Sequence, residues 1–326
     1  MKNIKDILKE KILVLDGAMG TMIQRYNLTE EDFRGERYKD HPCPLKGNND
    51  LLSITRPDII KEIHGLYFDA GADIAETNSF GSTWIAQDDY ELAKDVYDIN
   101  YASAKIAKEV ANEYTKKTPN KPRFVAGSMG PTTKLASMSP DVNDPGFRNI
   151  SFEELVDAFK EQARGLIDGG ADLLLVETIT DTLNAKAALF AIDEVQKEKG
   201  TDLPIMISGT ITDASGRTLS GQNTEAFVIS VEHSKPLTIG LNCALGADAL
   251  RPYLKTIKEK TSCFVSAHPN AGLPNEMGEY DESPEFMAQQ IKTFLDEGLV
   301  NIIGGCCGTT PEHIKAIADL AKQYSK

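Results

Sequence analysis

Apolar positions along the chain gather into short, nearly continuous runs, each followed by a turn rich in Gly, Asn or Thr. Eight such runs occur: KILVLDGAMG (11–20), ADIAETNSFG (72–81), RFVAGSMGP (123–131), ADLLLVETI (171–179), PIMISGTIT (204–212), LTIGLNCALG (237–246), CFVSAHPNAG (263–272) and LVNIIGGCCG (299–308). Between them, apolar residues recur at helical spacing over 57–71, 91–114, 152–170, 182–199, 249–260, 285–298 and 311–324. Strands that are apolar throughout are covered on both faces, as in parallel sheets whose crossovers are helices. Eight such units predict an α/β fold, a (β/α)8 TIM barrel with its catalytic face at the C-terminal ends of the strands. An open doubly wound sheet is the alternative, because periodicity does not report closure. Residues 1–11 predict a leading amphipathic helix. The connections 24–55, 131–151 and 269–284 are long, and all follow strands, on the face where barrel loops carry function. With no linker and no low-complexity tract, the expectation is one domain over residues 1–326.

Polar residues fall late in these runs. Asp16 ends the first; Glu76, Thr77 and Asn78 the second; Glu177 and Thr178 the fourth; Thr210 the fifth. Asn242 and Cys243 end the sixth, His268 and Asn270 the seventh, and Cys306 and Cys307 the eighth. In a closed barrel all of them face one cavity. A carboxylate such as Glu177, placed directly after ADLLLV, is costly to bury without a partner. The first turn, DGAMGT (16–21), offers successive backbone N–H groups near a helix start at Gly17, Ala18 and Gly20, a cradle suited to an anion such as a carboxylate. It lacks the third glycine of a dinucleotide fingerprint.

Composition narrows the partners. The chain is 41% hydrophobic and 26% charged, with a formal charge of −14, which argues against nucleic acid or an anionic membrane surface. No apolar run reaches the roughly 18 residues of a membrane span, and the N-terminus lacks the apolar core of a signal peptide. Five scattered cysteines do not form a secreted disulfide framework, so the expected location is the cytoplasm, with thiols kept reduced.

Adjacent cysteines are poor partners for a disulfide, so Cys306 and Cys307 point to a metal or to thiol chemistry. Zinc with an open position needs a third protein ligand. Cys263 opens its strand and lies at the opposite rim, and His313 lies on the last helix, facing away or capping it. Cys43, in the long first loop, stays a candidate. Cys243, two strands from the pair, is best placed, and His268, on the strand between, is its rival. A zinc ion with three thiolates is a weak activator of water and suits a different task, binding an incoming thiol as thiolate. The amide oxygen of Asn270 is a candidate displaceable fourth ligand. Structural thiols, a non-catalytic zinc- or thiol-binding protein and a redox sensor built on Cys306 and Cys307 are the competing readings.

The segments DGAMGT, GADIAETNSFGST, GSMGPT, LVETITDTLNAKAA, SGTITDASGRTLSGQ, GLNCALG, AHPNAGLPN and GGCCGTTPEHI, in that order, resemble the homocysteine S-methyltransferase family over roughly residues 10–320. The long first loop, DFRGERYKDHPCPLKGNNDLL, is similar to that of the homocysteine-binding module of cobalamin-dependent methionine synthases. The resemblance implies Zn2+ on Cys243, Cys306 and Cys307, with the homocysteine thiolate on the zinc. It implies that Asp16 and Glu177 hold the substrate ammonium and that the Gly17–Gly20 backbone, Ala18 included, meets its carboxylate. Methionine then forms by direct transfer, with no separate protein nucleophile. The implied donor is methylcobalamin on a cobalamin- and folate-binding module of the same or another chain, since no such module is visible here. S-methylmethionine or S-adenosylmethionine is the alternative donor.

Overall fold

The computed structural model describes residues 3–212 and 215–324. Met1 and Lys2 of the leading segment, and Asp213 and Ala214 of SGTITDASGRTLSGQ, lie outside the described residues. Eight strands follow one another: β1 (Leu13–Val14), β2 (Ile74–Glu76), β3 (Phe124–Met129), β4 (Leu173–Ile179), β5 (Ile205–Gly209), β6 (Thr238–Gly246), β7 (Phe264–Asn270) and β8 (Ile302–Ile303). Every pairing is parallel, in the order β1-β8-β7-β6-β5-β4-β3-β2. A parallel bridge between Leu15 and Ile74 joins the two ends of that order. The sheet is therefore a closed (β/α)8 barrel, not the open doubly wound alternative.

Outer helices cover the strands at Pro57–Ala70, Val96–Lys117, Phe152–Asp168, Thr182–Lys199, Ala247–Lys260, Pro284–Asp296 and Pro311–Ala321. An eighth, Thr224–Val231, answers to no predicted helix. Its sequence, TEAFVISV, is short, apolar and β-branched, so periodicity cannot separate it from a strand. The Asn223 side chain caps it by accepting the Ala226 N–H. The first and last predicted strands shrink to two residues each, because the glycine-rich segments that follow them turn into the site instead of continuing the ladder.

Strand pleating sorts the side chains. Leu13 and Leu15, Ile74, Ala126, Leu173 and Leu175, Met206 and Ile302 form one buried cluster inside the barrel. The leading helix, Ile4–Leu8, adds Ile4, Ile7 and Leu8 to it and plugs the lower end. Because side chains alternate, the next inward positions are Glu76, Ser128, Glu177 and Ser208. Polarity thus rises along the barrel axis within single strands.

One buried group outside this gradient responds to pH. His64, on the Pro57–Ala70 helix, is fully buried with neither ring nitrogen hydrogen-bonded among the described residues. Burial pushes its pKa from 6.5 down to about 4. The unfolded chain therefore binds more protons over that window, and the His64 contribution, complete above pH 6.5, is lost as the pH falls toward 4. Between pH 7 and pH 5 the wild type should lose about 2 kcal/mol more stability than His64→Leu, read from urea unfolding at the two pH values.

Candidate active site

The cysteine pair owes its placement to a turn. Thr309 N–H donates to Cys306 O over 3.0 Å, and Gly308, with φ +78°, takes the third position, where a type II turn demands positive φ. Neighbouring loops pin this turn. Cys306 N–H donates to Pro269 O (2.8 Å), Cys307 N–H to Asn270 Oδ1 (3.1 Å) and Gly308 N–H to Thr21 Oγ1 (3.1 Å). Across the barrel, Cys243 on β6 brings its Sγ to 2.6 Å from that of Cys306 and 3.8 Å from that of Cys307. The three sulfurs lie within 4.8 Å of one another.

This donor set fits zinc. Tetrahedral Zn–S bonds of about 2.3 Å place sulfurs about 3.8 Å apart, which matches the Cys243–Cys307 separation, while the closer Cys243–Cys306 pair would have to open. Three soft donors with no fourth cysteine beside them form the open pattern, not the closed structural one. As a metal-free trio the thiols share charge. Hydrogen bonds from Cys243 and Cys306 bring Cys307 down to about 3, and Cys306 is driven up chiefly by its hydrogen bond to Cys243.

Beneath the thiols lies an acidic floor. Asp16 Oδ2 accepts the Glu76 N–H (3.1 Å), and Ser128 Oγ donates to Glu177 Oε1 (2.5 Å). His268 Nε2 stands 3.5 Å from Glu177 Oε2 and 4.0 Å from Glu76 Oε1. Asp16 Oδ1, Glu76 Oε1 and both His268 nitrogens are buried without hydrogen-bond partners among the described residues. Burial, reinforced by the charge of Glu177, raises Asp16 and Glu76 well above the ordinary carboxylate range. Such a cluster is costly unless a cation joins it. The unpaired acceptors face a cavity of about 940 Å³ that the thiols also line.

The predicted anion cradle is built in part. A helix starts at Met19, leaving the first-turn N–H groups of Met19, Gly20 and Thr21 without partners four residues back. The Ala18 N–H is already given to Thr309 Oγ1 (3.1 Å), and the Tyr67 hydroxyl donates to Ala18 O (3.0 Å). Of the predicted residues, Asp16, Gly17, Ala18, Gly20, Glu177, Cys243, Cys306 and Cys307 all line the one cavity. Asn270 reaches it through the Cys307 backbone.

The rivals for the third thiol position lie elsewhere. Cys43 donates its S–H to Tyr90 O (3.2 Å), and Cys263 precedes β7 at the opposite rim. His313 Nδ1 accepts the Thr310 N–H and caps the last helix. His268 belongs to the acidic floor, not to the thiols. Glu76 and Tyr280 also line the cavity. Glu76 had only its strand-end position to mark it. Tyr280 had nothing, because it arrives from the long 269–284 loop to bond Cys307.

Fold and cavity together define a barrel enzyme with a thiol-rich site at the C-terminal rim. Residues 13–321 match the homocysteine S-methyltransferase family, and the chain belongs to that family and is a methyltransferase acting on homocysteine. Among solved structures, the metallated form of the homocysteine methyltransferase MmuM from Escherichia coli superposes with a TM-score of 0.72 at 23% identity, over 95% of this chain and 96% of that one. The apo form of the same protein gives 0.69 at 22% identity, over 98% of each chain. At that identity the likeness supports the fold. Among the described residues, no helix is long and apolar enough to cross a membrane.

Two glycines of the first turn should respond differently to substitution. A Cβ at Gly17 would meet Thr309 Oγ1 and Tyr67 Cε1 at 2.8 Å, whereas one at Gly20 meets only Asn49 Nδ2 at 3.8 Å. Gly17→Ala should cost about 1–3 kcal/mol in denaturant unfolding, and Gly20→Ala less than about 1 kcal/mol.

Proposed function

We propose that this chain is a zinc-dependent homocysteine S-methyltransferase module that makes methionine, drawing its methyl group from methylcobalamin on another module or chain. One observation carries the reading: three thiols and an unpaired acidic floor share one cavity in a chain of this family. The arrangement suits a molecule with an ammonium, a carboxylate and a thiol. Asp16 and Glu177, with Glu76 beside them, would take the ammonium, relieving their mutual repulsion. The first-turn N–H groups around Gly20 would take the carboxylate.

Cys243, Cys306 and Cys307 would hold the zinc, which when bound supplies a Lewis acid that keeps a substrate thiol deprotonated at neutral pH. Asn270 Oδ1 accepts one N–H and keeps a second lone pair, so it can serve the open position until substrate arrives. The remaining contribution of the chain is positional: both ends of the amino acid are fixed, and the sulfur is aimed out of the barrel. The sulfur then forms its bond to the methyl carbon as the donor's bond to that carbon breaks, with no protein nucleophile between.

A small amino acid fills only part of the cavity, which leaves the mouth for the donor. The similarity of the first loop to cobalamin-dependent enzymes supports methylcobalamin. The acidic lining supports a second reading, a sulfonium donor such as S-methylmethionine or S-adenosylmethionine, whose positive charge the cavity would attract.

The test combines metal analysis with donor choice. The purified chain should hold one zinc and convert homocysteine to methionine with methylcobalamin. Cys243→Ala should lose the zinc and more than about 100-fold of the turnover, while Cys43→Ala and Cys263→Ala keep both. Turnover with a sulfonium and none with methylcobalamin would select the second reading. Stoichiometric zinc without methionine from any donor would overturn the function.

A further inference from the structure

Thr178 on β4 and Cys243 on β6 both have φ +55°, a region that residues other than glycine rarely enter and β-branched ones such as Thr178 least of all. Each sits where its strand slips register against a neighbour. The β4–β5 pairing shifts between Val176 and Ile179, and the β6–β7 pairing between Asn242 and Gly246. Strand bulges of this kind re-aim side chains. Here the residues re-aimed are Glu177, directly before Thr178, and Cys243, directly after Asn242.

One fully buried amide ties the two irregularities together. Asn242 Oδ1 accepts the Thr178 N–H (3.0 Å), and Asn242 Nδ2 donates to Thr178 Oγ1 (2.8 Å). Ser208 Oγ donates to the same Oδ1 (2.7 Å), and Nδ2 also stands 3.9 Å from Cys306 Sγ. The left-handed Thr178 is thus gripped at both its backbone and its side chain by the residue next to a thiol of the trio.

We infer that Asn242 and Thr178 are positioning residues that fix the distance from Glu177 to the three thiols, and so select homocysteine over cysteine, its homologue one methylene shorter. The inference rests on the proposed function. Glu177 would anchor the ammonium at one end and the thiol trio the sulfur at the other, so a rigid span between them acts as a ruler. One methylene is worth about 10–200-fold when a site of fixed length discriminates. A span free to relax would lose that factor. Simple packing by Asn242 and Thr178 would affect stability and leave selectivity alone.

The experiment uses the zinc-loaded full chain and calorimetric titration with L-homocysteine and with L-cysteine. Thr178→Gly suits the left-handed backbone but leaves Asn242 Nδ2 without its hydroxyl partner, so it should melt within a few degrees of the wild type and keep its zinc. It lacks Oγ1, and its homocysteine affinity and its homocysteine-to-cysteine preference should each fall by about tenfold or more. Thr178→Ser keeps the hydroxyl and should stay within about threefold of wild type. Wild-type affinity and preference in Thr178→Gly would overturn the inference, as would equal losses in the Gly and Ser variants. A wild type that binds no homocysteine would instead bring down the proposed function, a result read before any variant is made.

Discussion

Closure of the parallel sheet is the constraint on which everything at the site depends. Asp16 follows β1, Glu177 lies in β4, Cys243 in β6, and the cysteine pair follows β8. In an open sheet these positions would be spread along an edge. The β1–β8 ladder and the Leu15–Ile74 bridge bend that edge into a ring and bring residues more than 280 positions apart into contact, as between Ala18 and Thr309.

The ring also explains how one set of strands serves both stability and chemistry. Lower inward positions carry Leu, Ile and Met, sealed from below by Ile4, Ile7 and Leu8. Two residues higher, the same faces carry Glu76, Ser128, Glu177 and Ser208. Buried carboxylates without a cation are a local defect in folding terms, and natural proteins concentrate such defects at functional sites. The apolar layers beneath hold the defect in place. Left-handed Thr178 and Cys243 are of the same kind, conformations kept only because the surroundings determine them completely.

The cavity thus has two chemically distinct parts at fixed separation. The floor is hard and negative, made of oxygens; the side is soft, made of sulfurs. A molecule matching only one part would gain little from the other. On the proposed function, this separation would turn general attraction for cations and metals into recognition of one amino thiol.

Much of this was legible in the sequence, because it is local. Apolar runs of strand length, helical spacing between them and polar residues late in each run depend on pleat and helix period alone, so strand number, the parallel α/β class and the residues of the rim could be read directly, while closure of the sheet could not. Strand order made Cys243 the best-placed partner for Cys306 and Cys307, with His268 and Cys43 still open, and the chemistry of three thiols pointed to an incoming thiol. The short helix Thr224–Val231 was not legible, because an apolar β-branched segment fits both periods. Nor were the partners of Glu76 and His268, the use of the Ala18 N–H by Thr309, the arrival of Tyr280, or the clamp from Asn242 to Thr178. These are contacts between segments distant in sequence. Their distances and orientations are set by closure, by register slips and by loop packing, which a linear pattern does not encode and which only the tertiary structure decides.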